Sequence, residues 1–205
     1  MKTTFFVTGI STEVGKTVVS AALTEALGAD YWKPVQAGDL DNSDSIKVRK
    51  LVQHPGSKFH DPAFQLKHAM SPHAAAALEK VSIKTTQIKR PLTENNLVIE
   101  GAGGLLVPLN SKETMLDLIM PEDRVILVSR HYLGSINHTL LSIEALRQRA
   151  LKLEGIVFVG DSHESTESII QQMGKVRVIG RINEEPYIDQ HVIAEYAEIF
   201  RNNLK

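Results

Sequence analysis

Hydrophobic positions fall into short runs that are apolar almost throughout, separated by longer stretches with a helical period. Residues 3–8, 96–100, 124–129, 153–159 and 176–179 are β-type runs, and 31–33 is a shorter one. Runs that are apolar on both faces suit parallel strands covered by helices above and below. Between them, 16–27 closes at Gly28, and 135–150, 164–173 and 189–204 carry helical spacing. In the last of these Val192, Ile193, Tyr196, Ile199 and Phe200 share one stripe, as a core-facing helix requires. Shorter helices are predicted over 45–53 and 74–80. Strand and helix alternate with short connections, which predicts an α/β fold: a doubly wound, mainly parallel sheet with helices on both faces. Residues 53–66 break the alternation as a polar loop rich in His, Pro and Gly; loops of that length are functional or disordered. No repeat, low-complexity segment or linker divides the chain, so residues 1–205 are expected to form one domain.

Composition narrows the function more by exclusion than by suggestion. Hydrophobic residues make up 42% and charged residues 23% of 205, ordinary for a globular protein. A formal net charge of -1 gives no broad pull toward nucleic acid or anionic lipid, and neither is expected as a partner. The chain has no cysteine, which excludes disulfides, thiol catalysis and thiolate metal sites and fits a reducing compartment. Residues 1–7 are too short an apolar start to be a signal peptide, and no apolar run approaches the roughly 20 residues of a membrane span. A cytoplasmic protein is the expectation.

Chemistry enters with the run Thr8-Gly9-Ile10-Ser11-Thr12-Glu13-Val14-Gly15-Lys16-Thr17, between the first strand and the first helix. Phosphate oxygens need several backbone N–H groups converging at a helix N-terminus, where the helix dipole also favours negative charge. Lys16 would neutralise the β- and γ-phosphates and the Thr17 hydroxyl would ligate Mg²⁺, as in a P-loop NTPase. The general motif has four residues between its glycines, whereas Ile10 to Val14 makes five. Glu100, at the end of the 96–100 run and followed by Gly101, Ala102, Gly103 and Gly104, stands where parallel sheets bind ligands. It serves Mg²⁺ there or merely ends a strand above flexible glycines. Lys33 would add positive charge beside a transferring phosphoryl group. Asp44 is a second Mg²⁺ carboxylate, or simply the N-cap or first-turn acid of the following helix. Ser71, Pro72 and His73 read equally as an ordinary helix start. Gly134, Ser135, Ile136 and Asn137 join a strand to a helix, so their N–H groups either receive a carboxylate or simply open the helix.

Together these segments resemble the dethiobiotin synthetase family, in that family's order over about residues 3–140. The matching runs are 7–17, 32–35, 42–44, 71–73, 98–104 and 133–138, and the five-residue gap in the phosphate loop is the one this family has. The resemblance implies an ATP-dependent enzyme that closes the ureido ring of dethiobiotin from 7,8-diaminononanoate and CO₂. Gly9, Glu13, Val14, Gly15, Lys16 and Thr17 would hold the triphosphate, and Thr17, Asp44 and Glu100 the Mg²⁺. Thr12, Glu13, Lys16 and Lys33 would stand where the γ-phosphate meets the substrate amines. Ser71, Pro72, His73 and Gly101 to Gly104 would line the substrate pocket. Gly134 to Asn137 would come from a second subunit of a homodimer and receive the substrate carboxylate. A substrate amine would take up CO₂ as a carbamate, and the γ-phosphoryl group would activate it. The second amine would then close the ring and expel phosphate.

The chain departs from the family where the base is expected. Gly160 precedes Asp161 where many members have Asn-Asp, Asn183 stands where Pro is expected after Gly180, Arg181 and Ile182, and Ala37 replaces a frequent Ser. An adenine pocket without that Asn amide implies that other triphosphates such as CTP or GTP are accepted. The rival reading is a partition-type P-loop ATPase acting as a nucleotide switch. Those proteins carry a second lysine near the start of the loop, at the position of Ser11 here.

Overall fold

The structure is a computed structural model and describes residues 2–204. The first half of the chain forms β1 (Thr4–Gly9), α1 (Lys16–Leu27), β2 (Asp30–Trp32), β3 (Val35–Ala37), α2 (Asp44–Leu51), β4 (Phe59–His60), β5 (Phe64–Leu66) and α3 (Pro72–Leu78). The second half forms β6 (Leu97–Gly104), β7 (Arg124–Arg130), α4 (Ser135–Gln148), β8 (Lys152–Val159), α5 (Glu164–Gly174), β9 (Val178–Ile182) and α6 (Gln190–Asn203). Seven strands make one sheet in the order β4-β2-β6-β1-β7-β8-β9, and every pairing is parallel.

Alternation along β1 explains why both faces need a cover. Phe5 and Val7 enter one core with Leu23 of α1 and Phe200 of α6; Phe6 enters the other with Ile99 of β6, Ala75 of α3 and Met115. All are buried, and truncating a phenylalanine in such a core to alanine costs about 3–5 kcal/mol. The order reverses around β1, because the chain goes to one side for β2 and to the other for β7 and β8. Ligands of open parallel sheets bind at such a point, beyond the carboxyl ends of the strands. Here the loop after β1 and the ends of β6 and β7 meet there. β1 and β6 lie in register with Thr4 opposite Leu97 and Val7 opposite Glu100.

Several boundaries differ from the sequence reading, each for a local reason. The 53–66 loop contains β4 and β5, too short to show a period; β5 pairs with β3 in a separate two-stranded parallel sheet. The strand expected at 176–179 runs instead over Val178–Ile182. Gly180 and Arg181 break its apolar pattern, but a Cβ at Gly180 would stand 2.8 Å from the Phe200 ring, so the position admits only glycine under α6. The helix expected at 45–53 begins at Asp44, and Ser43 is its cap, accepting from the Ile46 N–H at 3.4 Å. The Asp44 carboxylate is thereby free of capping duty. No helix among the described residues is long and apolar enough to cross a membrane.

Candidate active site

The loop between β1 and α1 is shaped by two left-handed residues, Glu13 (φ 56°) and Gly15 (φ 92°). A left-handed glutamate is strained, and such strain persists where the surroundings impose it. At Gly15 a Cβ would come within 3.0 Å of Val159, so the loop rests directly on the end of β8. Val14 is buried and anchors the loop, while Thr12 and Glu13 are exposed. Among the described residues, the N–H groups of Ser11 to Gly15 donate to no other backbone group. A concave run of unpaired donors ahead of a helix is an anion nest. Lys16 is buried and donates to the Ser11 carbonyl at 2.9 Å. Burial lowers its pKa to about 8, with Lys33 adding to the effect and Glu100 and Asp44 opposing it.

Beside the loop, four side chains from four segments converge. Thr17 Oγ1 lies 3.1 Å from Asp44 Oδ1 and 3.0 Å from Glu100 Oε1. The Lys33 ammonium donates to Glu100 Oε1 at 3.0 Å and pairs closely with Asp44. Burial opposes the Lys33 charge, yet Glu100 and Asp44 outweigh it and raise the lysine pKa. Burial likewise works against the Asp44 carboxylate, and Lys33 overcomes it, so that pKa falls. Behind them the Tyr31 hydroxyl donates to Glu100 Oε2 at 2.8 Å. Burial first, then the Glu100 and Asp44 charges, push this phenol well above its ordinary pKa. No group of three or more His, Cys, Asp or Glu is arranged for a metal among the described residues; the oxygen cluster here has two carboxylates and a hydroxyl.

A cleft of about 1110 Å³ opens from this cluster. Thr12, Glu13, Gly15, Lys16, Thr17, Lys33, Asp44 and Glu100 line it, as do Ser71, Pro72, Ala102, Gly103 and Gly104. Residues 102–104 reach it because β6 continues through the glycines rather than stopping at Glu100. Gly9, Val14, His73 and Gly101 stand behind the lining. The Ser71 hydroxyl makes no capping bond to α3 and contacts His73 Nδ1 at 3.1 Å. Gly134 to Asn137 form the start of α4 and do not line the cleft, whereas His138, Leu141, Ser142 and Ala145 further along that helix do. Beside them Leu133 and Ile136 are exposed.

Gly160 and Asp161 also lie outside the cleft. Gly160 is left-handed (φ 99°), its carbonyl accepts from Arg181 at 3.1 Å, and a Cβ there would meet only Glu184, at 3.4 Å. Glu184 in turn pairs with Arg130, and Arg181 with Glu167. Arg130, Gln36 and Tyr31 belong to the neighbourhood without having been singled out in the sequence. Gln36 is buried, donates to the Gly38 carbonyl at 2.9 Å and accepts from the Asp44 N–H at 3.4 Å. A polar residue inside a short apolar run, as Gln36 follows Val35, was its only signal.

The chain is similar to known proteins in sequence and in fold. A family model described as an AAA domain matches residues 3–192. The ATP-dependent dethiobiotin synthetase BioD of Christiangramia forsetii is 62% identical over 204 residues, covering 100% of this chain and 99% of that protein. The enzyme of the same name from Cytophaga hutchinsonii is 49% identical, with 97% of each chain covered. Among solved structures, the septum site-determining protein MinD of Pyrococcus horikoshii, complexed with Mg-ADP, aligns with a TM-score of 0.65 at 15% identity, covering 100% of this chain and 95% of that one. A ParA family ATPase of Chlorobium tepidum aligns at 0.58 and 11% identity, covering 100% and 95%. Those two share the fold, a P-loop sheet with helices on both sides. The sequence relatives carry the function: this chain is an ATP-dependent ligase of biotin biosynthesis and belongs to the family of ATP-dependent dethiobiotin synthetases.

Proposed function

We propose that the whole chain acts as one domain that joins CO₂ to 7,8-diaminononanoate with ATP and Mg²⁺, giving dethiobiotin, ADP and phosphate. The observation that carries this reading is the meeting of Lys16, Lys33, Thr17, Asp44 and Glu100 at the mouth of one cleft. The donor set fits Mg²⁺. Thr17 has one hydroxyl proton but faces two carboxylate oxygens at 3.1 and 3.0 Å, so one oxygen pair has no proton between its members. Those spacings also approach the roughly 2.9 Å edge of an octahedron with Mg–O distances of about 2.05 Å. Two carboxylates suffice, since Mg²⁺ takes its remaining ligands from water and phosphate. Thr17, Asp44 and Glu100 would hold the ion, which would supply positive charge against the phosphates.

In this reading the residues do the following. The N–H groups of the loop after β1 hold the triphosphate, and Lys16 turns from the Ser11 carbonyl to the β- and γ-phosphates. One substrate amine adds to CO₂ and loses a proton, giving a carbamate. A carbamate oxygen attacks the γ-phosphorus, and the bond from that phosphorus to the β–γ bridging oxygen breaks, releasing ADP. Lys33 and Lys16 stabilise the oxygens of the transferring group. Thr12 and Glu13 lie beside it and orient the amines. The second amine then attacks the carbamoyl carbon, phosphate leaves, and the ring closes. No protein nucleophile is needed, so catalysis rests on position and charge. Ser71, Pro72 and His73, with Gly101 to Gly104, shape the pocket for the substrate chain.

The exposure of Leu133 and Ile136 supports a homodimer in which Gly134 to Asn137 complete the neighbour's pocket. The fact that these residues miss their own cleft supports it too. Incubation with ATP, ¹³C-bicarbonate and 7,8-diaminononanoate should give dethiobiotin one mass unit heavy in its ureido carbonyl. ATP turnover with no labelled product would sink the reading. For the dimer, Gly134→Trp and Lys16→Ala should each be inactive alone. Mixed in equal amounts under exchange, they should regain about a quarter of wild-type activity, because half the dimers are mixed and each has one intact site. No recovery despite exchange seen by native mass spectrometry would mean that each site belongs to one chain.

A further inference from the structure

We infer that Tyr31 is a positioning residue: its hydroxyl fixes the Glu100 carboxylate so that Oε1 faces Thr17 and the phosphate loop. This rests on the reading of Thr17, Asp44 and Glu100 as a Mg²⁺ site, and it goes beyond that reading by naming what aims one of the ligands.

The two oxygens of Glu100 have different surroundings. Oε1 faces Thr17 Oγ1 at 3.0 Å and accepts from Lys33 at 3.0 Å. Oε2 accepts from the Tyr31 hydroxyl at 2.8 Å, its one hydrogen-bond donor among the described residues. The last torsion of a glutamate is soft, so a carboxylate is aimed by its hydrogen bonds rather than by its rotamer. With a cation present, Lys33 shares Oε1 with it, and the two positive charges repel each other. Tyr31 holds the other oxygen and has no such competitor.

Tyr31 is also unable to move. It is fully buried, and its ring meets Phe59 at 6.5 Å in the core beside Val48 of α2. Its backbone pairs on both sides, opposite Phe59 of β4 and Val98 of β6, and its N–H donates to the Lys58 carbonyl at 2.8 Å. The residue before it, Asp30, is buried and pins the strand. It accepts from Thr93 at 2.6 Å, from Asn95 at 2.8 Å and from the Lys58 N–H at 3.0 Å, and it lies 2.8 Å from His60 Nε2. A phenol on so short and so fixed a strand is a rigid arm reaching from the core to the back of the carboxylate. Donors behind metal ligands typically account for 10- to 100-fold in metal affinity.

The test compares wild type and Tyr31→Phe, which removes the donor and keeps the ring. Mn²⁺ binding to the ADP complex is followed by electron paramagnetic resonance, and ADP binding without metal by calorimetry. The expected result is about 10-fold weaker Mn²⁺ binding with metal-free ADP affinity unchanged. In a Glu100→Gln background the same change should have no further effect on Mn²⁺. Equal Mn²⁺ affinity in the wild type and Tyr31→Phe, even with a lowered Tm, would reduce Tyr31 to a core residue and overturn the inference. If wild-type protein with ADP holds Mn²⁺ no better than ADP alone, the metal reading itself falls, and this inference with it. Should Tyr31→Phe not fold, wild type labelled with ¹³Cζ-tyrosine gives the answer. Replacing Tyr132, Tyr187 and Tyr196 with Phe assigns the Tyr31 signal, which should move when Mg²⁺ is added to the ADP complex. A signal that stays fixed under saturating Mg²⁺ overturns the inference.

Discussion

The phosphate loop and the loop at Gly160 rest against each other, Gly15 on Val159, yet they are built in opposite ways. Around Lys16 the charges face a cleft: Lys33 and Glu100 are buried, Asp44 is half-buried, and the three hold one another in place. Around Gly160 the charges are paired away among themselves, the half-buried Arg181 with Glu167 and the more exposed Arg130 with Glu184. A site whose charged groups are already buried and fixed reorganises little when charge develops, and that is where electrostatic catalysis is strong. On the proposed reading, a site of mutually satisfied pairs would offer a ligand shape and backbone groups, and would discriminate weakly. One end would then act on the triphosphate, and the other would tolerate what is attached to it.

The largest effect should follow from breaking the buried end. Lys16→Ala should lower kcat for dethiobiotin formation by about 10³-fold, the scale of losing one charge-stabilising donor, with the fold retained by circular dichroism. Near-normal turnover from a folded variant would remove Lys16 from the chemistry. A smaller loss is expected at Asp44→Asn. Because Ser43 caps α2, the amide cannot be excused as an equivalent cap. The Mg²⁺ concentration for half-maximal activity should rise about 10-fold or more, and an unchanged Mg²⁺ titration would make Asp44 a bystander.

Acidity separates the two ends further. Lys16 has its pKa lowered to about 8, so in the free enzyme its charge is lost as pH rises through that value. Since kcat/KM reports free-enzyme ionisations, kcat/KM for ATP should fall about tenfold per pH unit well above pH 8. Lys33, whose pKa is raised, should keep its charge through the same range. A flat profile to pH 10 would show that Lys16 does not titrate there. The smallest effect belongs to the Gly160 end. Wild type should use ATP, GTP and CTP with kcat/KM values within about tenfold, and Gly160→Asn should favour ATP several-fold more. A side chain at φ 99° is strained, Asn less than most, and the space beside it holds only Glu184. A wild-type preference for ATP near a thousandfold would place base recognition in Arg181, Glu184 or the backbone.

Legibility in the sequence follows the same division. The loop at 9–17 could be read because its ligands are consecutive residues and its backbone does the binding. Glu100 and Asp44 could be suspected from strand-end and helix-start positions, but only folding reveals that both reach Thr17. The strands β1, β6, β7 and β8 announced themselves as apolar runs because both faces are covered. β3, β4 and β5 did not, since two or three residues show no period. Tyr31 looked like any strand aromatic, and its hydroxyl matters only through a partner 69 residues away. The ion pairs near Gly160 join residues 14 and 54 positions apart, which no local pattern records.

The distance between Thr17 and Glu100, 83 residues in sequence and 3.0 Å in space, has a consequence for the chain as a polymer. There is no cysteine with which to fasten such a span. On the proposed reading, a nucleotide and cation held by both residues would do that work reversibly, as a clasp that shuts only when fuel is present. Ligand at about 100 times its Kd favours the folded state by about 2.7 kcal/mol, a sizeable share of the 5–15 kcal/mol that typically holds a domain together. The durability of this enzyme would then be partly set by the nucleotide supply around it: a starved cell would hold a looser protein, and a well-fed one a tighter one.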